Sequence, residues 1–202
     1  MSLQNHQPST MNTKKVSFIL DINNYYANGS VCLLGLCNDM STHAKPVKSI
    51  KFIDLLDAGN GVYAFLHGNN ILYIGKCSSR SFCERFAGHI SKKPQSYMNN
   101  VMKKIAWLHS QHKNLSQNAF LADANEPDRT RSFKKAQKIM KNLRFVCVSF
   151  ASSTSSNKRN NICQFEKYLI QNLNPPLNGS KRNALSHNKL KKLCQFLNPP
   201  LP

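Results

Sequence analysis

The sequence predicts an α+β fold: a small, central, mostly antiparallel β-sheet made of a hairpin plus a third strand, flanked by helices and carrying a basic helical insertion. Three observations predict it. Gly61–Leu66 and Ile71–Ile74 are rich in β-branched, aromatic and aliphatic residues, and the linker His67-Gly68-Asn69-Asn70 tolerates positive φ angles, which together make a hairpin signature. Arg144–Phe150 is a further strand candidate of the same composition. The segments between and after these runs repeat their apolar residues at helical rather than strand spacing.

Taken in order, Met1–Thr13 is polar and lacks the hydrophobic stretch of a secretion signal, so it is expected to be an appended leader or a disordered arm. Residues 14–59 form an N-terminal extension. In it Val16–Ile22 and Val31–Leu36 are apolar runs too short for periodicity to separate strand from buried helix. Ile50–Leu56 reads as a short helix ending at the turn Ala58-Gly59-Asn60-Gly61. After the hairpin, Ser78 or Ser79 can cap a helix running through Arg85 to about Ile90, with Phe82 and Phe86 on one face and Arg85 and His89 on another. Residues 92–142 read as a helical basic insertion: a helix over about Ser96–His112 with Val101, Ile105 and Leu108 as its apolar side, a polar loop, and a strongly basic helix over Arg131–Asn142. Asn161–Leu173 is an amphipathic helix with Ile162, Phe165, Leu169 and Ile170 facing inward, stopped by Pro175-Pro176. The main domain therefore covers residues 60–180, and residues 181–202 form a basic tail.

Charge narrows the function. There are 28 Lys plus Arg against 9 Asp plus Glu, a formal net charge of +19. Such a chain attracts polyanions, so nucleic acid is the expected partner and an anionic membrane the competitor. No apolar run approaches the roughly 18 residues that span a bilayer, so no membrane role is expected. The seven cysteines form no C-x-x-C pair, which favours reduced thiols and a cytoplasmic setting. No phosphate-binding Gly-x-x-x-x-Gly-Lys-Ser/Thr loop is present, so ATP use is not indicated.

The acids are informative because they are scarce. After Asp128 the sole acid is Glu166, in a field of Lys and Arg. A lone carboxylate there invites a hard, oxygen-loving cation such as Mg2+ or Mn2+, and the competing reading is a simple ion pair with Lys167 or a nearby Arg. A two-metal site needs several convergent carboxylates, and no tight acidic cluster outside Asp123–Asp128 supplies them, so one metal fits better. His109 and His112, three apart on a helix, are a weak zinc candidate without any accompanying cysteine spacing.

Several of these residues form an ordered set. Gly61-Val62-Tyr63 is followed by Tyr73-Ile74-Gly75, then by Arg85 and His89 one helical turn apart, then by Glu166 in Phe165-Glu166-Lys167-Tyr168-Leu169-Ile170, and finally by Asn178 closing Asn174-Pro-Pro-Leu-Asn178. This series resembles the GIY-YIG nuclease family over about residues 60–180, of the restriction-type or stand-alone kind. Against the compact members, the spacing from Tyr73 to Arg85 is slightly longer and residues 92–142 look inserted. Arg80 is the alternative arginine, but it lacks a histidine one turn later. Taken singly, strand tyrosines are ordinarily core residues, a lone histidine is ordinarily structural, and an Asn after Pro-Pro is an ordinary turn residue. The order in which they occur together is what carries the resemblance.

The resemblance implies a metal-dependent endonuclease that hydrolyses DNA phosphodiesters, with a type II restriction enzyme as the specific candidate. Tyr63 or Tyr73 would deprotonate the attacking water. A free phenol has a pKa of about 10, so nearby cations (Arg85, His89 and the metal) would have to favour phenolate. His89 is alternatively a relay for the tyrosine proton. Arg85 would stabilise the pentavalent phosphate as a fixed donor fork. Glu166 would hold Mg2+ or Mn2+, and Asn178 would orient the end of the Glu166 helix or a site water. Lys76 follows the motif glycine and is a candidate phosphate contact. Lys103, Lys104, Lys134, Lys135 and Lys138 in the insertion, with Lys92, Lys93, Arg129, Arg131 and Arg144 around them and Lys181 and Arg182 in the tail, are expected to grip the nucleic-acid backbone. Cutting both strands of a duplex requires two sites, so a homodimer is a candidate assembly. The competing functional readings are a non-catalytic nucleic-acid-binding module and a nuclease for RNA or branched DNA.

Overall fold

The expected hairpin forms one side of the sheet, its first strand inside and its second at the edge. The computed structural model describes residues 17–27, 30–91, 100–110, 121, 126–151 and 157–178. Strand β1 (Ile19–Asp21) is followed by a two-residue antiparallel pair, β2 (Tyr26–Ala27) and β3 (Ser30–Val31), and by helix α1 (Leu33–His43). Then come β4 (Lys45–Pro46), the short helix α2 (Ile53–Leu56), the hairpin β5 (Gly61–His67) and β6 (Asn70–Cys77), and helix α3 (Phe82–Ile90). Helices α4 (Asn100–Leu108) and α5 (Glu126–Asn142) precede β7 (Arg144–Ser149), and α6 (Lys158–Leu173) follows it. In the main sheet β5 lies between β6 and β7 and is antiparallel to both. On the far side of β7, β1 pairs in parallel and β4 antiparallel. The sheet is thus mixed but mostly antiparallel, as expected.

Helices cover both faces of this sheet, and the sequence shows why they must. Six consecutive residues of β5, Gly61–Leu66, are buried, a run without the polar-out alternation of a strand with one wet face. Tyr63 and Phe65 point into a core built with Phe82 and Phe86 of α3, Val101, Ile105 and Trp107 of α4, and Phe133, Ala136 and Met140 of α5. Val62, Ala64 and Leu66 point the other way, onto Leu36 and Met40 of α1 and Ile162, Phe165 and Leu169 of α6. Residues 92–142 are therefore no appendage where they are described: α4 and α5 pack on each other and build the core beneath Tyr63. The N-terminal extension likewise contributes β1 and β4 to the sheet. Of its two ambiguous runs, the first contains a strand and the second mostly a helix.

Local chemistry fixes several boundaries. The α3 cap is Ser81, not Ser78 or Ser79: its hydroxyl accepts from the Glu84 N–H while the Glu84 carboxylate accepts from the Ser81 N–H, a complete capping box. The expected two faces of α3 are one stripe, because positions 82, 86 and 89 are all buried. At the other end of the chain, α6 stops one residue before the prolines, at Asn174 in the left-handed conformation (φ 42°) with its N–H returning to the Ile170 carbonyl. Arg144, expected on the substrate, is used up in the fold. Its guanidinium donates to the Ala44 carbonyl at 2.7 and 3.0 Å, capping the C-terminal end of α1. Among the described residues no helix is long and apolar enough to cross a membrane. Among the described residues Cys32, Cys37, Cys77, Cys83, Cys147 and Cys163 form no disulfide.

Candidate active site

The two motif glycines explain the motif. Tyr63 on β5 is directly opposite Gly75 on β6. A Cβ at 75 would overlap the Tyr63 ring and hydroxyl, so a glycine is what lets that ring lie flat across the neighbouring strand. At Gly61 a Cβ would collide with the Val148 carbonyl of β7, so this glycine permits close backbone approach. The tyrosine is held on all sides: Phe65, Tyr73, Phe82, His89 and Phe145 all lie within 6.5 Å of it, centroid to centroid.

Tyr63 and His89 are each 2% exposed, and the Tyr63 hydroxyl is 2.6 Å from His89 Nε2. The rings of Tyr73 and His89 are 5.6 Å apart and those of Tyr63 and Tyr73 6.2 Å, near enough for the two phenols to affect each other's ionisation. Of the three rings Tyr73 is the partly exposed one. Arg85, one turn before His89, is close enough to act electrostatically on both phenols and on the imidazole. Its Nε and His89 Nδ1 are buried without a hydrogen-bond partner among the described residues. An unpaired buried donor is costly, and an anionic oxygen is the acceptor to which a guanidinium donates most strongly.

Burial dominates the ionisation of these groups. Burial pushes the Tyr63 pKa well above its usual range and that of Tyr73 up to about 12. Arg85 pulls both down, and burial wins. Burial, with the like charge of Arg85, pushes His89 down to about 3, so it is neutral near pH 7 and adds no positive field. In the absence of a metal ion, burial thus favours the neutral form of all three rings beside the Arg85 guanidinium.

Glu166 reaches the same region from the other side of the sheet. Helix α6 packs on the face opposite Tyr63, yet the Glu166 carboxylate lies at the β6 edge, where its charge raises the Tyr73 pKa. Its partner is Lys76 on β6, at 2.8 Å, rather than Lys167 or an arginine. The other described acids have mostly local duties: Asp21 and Glu84 cap helices, Asp39 accepts from the Tyr25 hydroxyl, and Asp128 pairs with Arg131. Among the described residues no group of three or more His, Cys, Asp or Glu side chains forms a metal cage. The zinc candidate is half lost from view, since His112 lies outside the described residues.

Asn178 works on the strand rather than on the end of α6. Its side-chain amide donates to the Ile74 carbonyl and accepts from the Ile74 N–H, both at 2.6 Å, and the Leu177 N–H donates to the Leu72 carbonyl. Residues 177 and 178 so satisfy the free edge of β6 at Leu72 and Ile74. Lys104 is a correction: it is buried, and its ammonium donates to the Leu177 carbonyl, holding this closing turn against α4 instead of facing a substrate. Lys103 is partly exposed, with burial lowering its pKa. Lys134, Lys135 and Lys138 stand exposed on α5, and Lys181 and Arg182 lie outside the described residues.

Tyr63, Tyr73, Arg85, His89 and Glu166 are therefore gathered about β6, the edge strand of the hairpin, with Asn178 bound to its middle. Gly61, Gly75 and the Ser81 cap were missed as site-forming residues, and the Ser-x-x-Glu spacing was a readable signal for the last. No curated protein and no solved structure matches the chain. The family model described as the GIY-YIG catalytic domain matches residues 57–197, which is most of the chain and includes every one of these residues, and on that match the chain belongs to the GIY-YIG family of nuclease domains.

Proposed function

We propose that the chain is an endonuclease that hydrolyses phosphodiester bonds of DNA, with a single divalent metal held by Glu166, and that it acts as a type II restriction enzyme. Family membership supplies the nuclease-type domain, a nucleic-acid substrate and the general dependence on a divalent metal. The observation that carries the finer reading is the 2.6 Å contact between Tyr63 and His89, with Tyr73 outside it and Glu166 beside Tyr73.

The order of exposure suggests a relay. Tyr73 meets the attacking water, Tyr63 lies behind it, and His89 lies behind Tyr63. As the water oxygen attacks phosphorus, its proton passes to the Tyr73 oxygen, the Tyr73 proton to Tyr63, and the Tyr63 proton to His89 Nε2. No phenolate has to exist at any stage, which suits the raised phenol pKa values. The negative charge of a bound phosphodiester favours the imidazolium that results. Arg85, with a buried donor to satisfy, stabilises the charge developing on the phosphoryl oxygens. The donor set fits Mg2+ or Mn2+, which commonly takes one or two carboxylates and completes its shell with water and phosphate. When bound, that ion supplies Lewis-acid charge for the leaving oxygen.

The exposed face of α5 is a natural backbone contact outside the site. One site per chain cuts one strand, so the restriction reading carries a homodimer with it. Incubating the purified protein with plasmid and Mg2+ or Mn2+ tests the proposal. Cleavage is expected, falling about 10²–10⁴-fold in Tyr63→Phe and about 10²–10³-fold in Glu166→Ala. Full activity in both variants would defeat it, and a parallel panel of RNA and branched DNA at fixed salt decides the substrate class.

A further inference from the structure

We propose that Lys76 couples metal binding to substrate binding by exchanging partners: it neutralises Glu166 while the site is empty and moves onto the phosphodiester when nucleic acid arrives, freeing the carboxylate for the metal. This rests on the reading of Glu166 as the metal ligand.

The geometry sets the two roles in competition. Lys76 Nζ lies 2.8 Å from Glu166 Oε2, and the carboxylate side chain is only 16% exposed. Among the described residues no group of three or more metal-ligating side chains surrounds it to hold a cation in another way. A divalent ion approaching Glu166 therefore meets a carboxylate already paired and an ammonium of like charge beside it. Both effects weaken binding of the metal alone. The lysine, 31% exposed on a flexible four-carbon stem, is free to swing where a rigid guanidinium fork would not. It is the penultimate residue of β6, and its partner Glu166 is close enough to act electrostatically on Tyr73, so a phosphate held at Tyr73 lies along the same strand.

When a phosphodiester takes the ammonium, the metal gains a vacated carboxylate and a phosphate oxygen together. Linkage then requires the reverse: the metal must tighten nucleic-acid binding by the same factor. The arrangement keeps the resting enzyme poor in bound metal and completes the site only on substrate.

The test measures Mn2+ affinity by electron paramagnetic resonance, so it needs no turnover. Wild type, Lys76→Gln, Lys76→Arg and Glu166→Gln are each titrated alone and with a phosphorothioate DNA duplex, the duplex-only signal being subtracted. The expected result is weak Mn2+ binding by wild type that tightens at least about fivefold with duplex, the lower end of coupling between linked sites. Lys76→Gln should bind Mn2+ at least about fivefold more tightly than wild type without duplex and gain little more with it. Glu166→Gln should lose this binding. Lys76→Arg keeps the charge and should resemble wild type without duplex. Circular dichroism checks that each variant is folded. Unchanged Mn2+ affinity in Lys76→Gln, or undiminished duplex dependence in that variant, overturns the exchange. Plasmid cleavage on the same samples separates the two readings: cutting that needs Glu166 but shows no Lys76 coupling removes the exchange alone, whereas no cutting and no Glu166-dependent Mn2+ binding removes both.

Discussion

The hairpin has a dry side and a wet edge, and they treat ionisable groups in opposite ways. On the dry side Tyr63 and His89 are 2% exposed, and desolvation is the largest influence on both: it raises the phenol against the pull of Arg85 and, with Arg85 acting in the same direction, depresses the imidazole. At the wet edge Lys76 is partly exposed, and the largest influence is its hydrogen bond to Glu166, which raises its pKa while burial opposes and loses. Burial thus favours neutral rings on the dry side, while Lys76 at the edge is held charged, a few side chains apart. The comparison teaches where each kind of perturbation should act. Changes on the dry side should cost stability and alter protonation, whereas changes at the edge should alter ion binding and leave the fold nearly untouched.

The largest expected effect concerns acid. Folding lowers the His89 pKa from about 6.5 to about 3. Between those values the unfolded chain holds a proton that the folded chain does not, so protonation favours unfolding. The contribution of neutral His89 is complete above a pH of about 6.5 and is lost as pH falls toward 3. At about 1.4 kcal/mol per pKa unit the full loss is several kcal/mol. Urea unfolding of wild type and His89→Gln between pH 4 and pH 7 measures it: the wild type should weaken steeply toward acid and the variant more gently. Parallel slopes would mean that the imidazole is hydrated, and the dry side would not be dry.

A smaller but more local effect is expected at Gly75. Ala here places its methyl group in the Tyr63 ring, and that ring is locked among Phe65, Phe82, His89 and Phe145. Overpacking of this kind costs about 1–3 kcal/mol. It should also lengthen the bond to His89, so thermal stability and cleavage should fall together. Gly68→Ala is the control in the same hairpin. Gly68 has φ +55° but open space around its missing Cβ, so only the backbone strain, about 1 kcal/mol, applies and activity should persist. Equal tolerance at both positions would show that the Tyr63 ring has room to move.

What could be read from the sequence follows this same division between local and long-range causes. The hairpin, β7 and the inward face of α6 were legible because composition, spacing and turn residues act within a few positions. Six site residues were legible as an ordered series, and five of them converge across more than a hundred positions of chain. The partner of Glu166 was not legible, since Lys76 is 90 residues earlier and reaches it only through packing of α6 on the sheet. Lys104 and Arg144 misled for a related reason. A basic residue in a basic chain looks like a phosphate contact, and only the fold reveals a carbonyl waiting for it, at Leu177 and Ala44 respectively. The neutrality of His89 was illegible too: beside an arginine it looks like part of a cationic field, and burial, a tertiary property, decides the matter.

The smallest effect sharpens the contrast most. A double-mutant cycle of Lys76→Met and Glu166→Gln, followed by urea unfolding, isolates the stability contributed by the pair. Water reaches both side chains, so solvent screening discounts the attraction, and a coupling of about 0.2–1 kcal/mol is expected, shrinking further at high salt. A coupling above about 3 kcal/mol would be the signature of a desolvated pair. The lysine would then be a structural strut, too firmly held to leave the carboxylate, and the edge would belong with the buried side of the hairpin. A coupling within the expected range leaves a contact weak enough for a phosphate or a divalent ion to break, which is what an ion-handling edge requires.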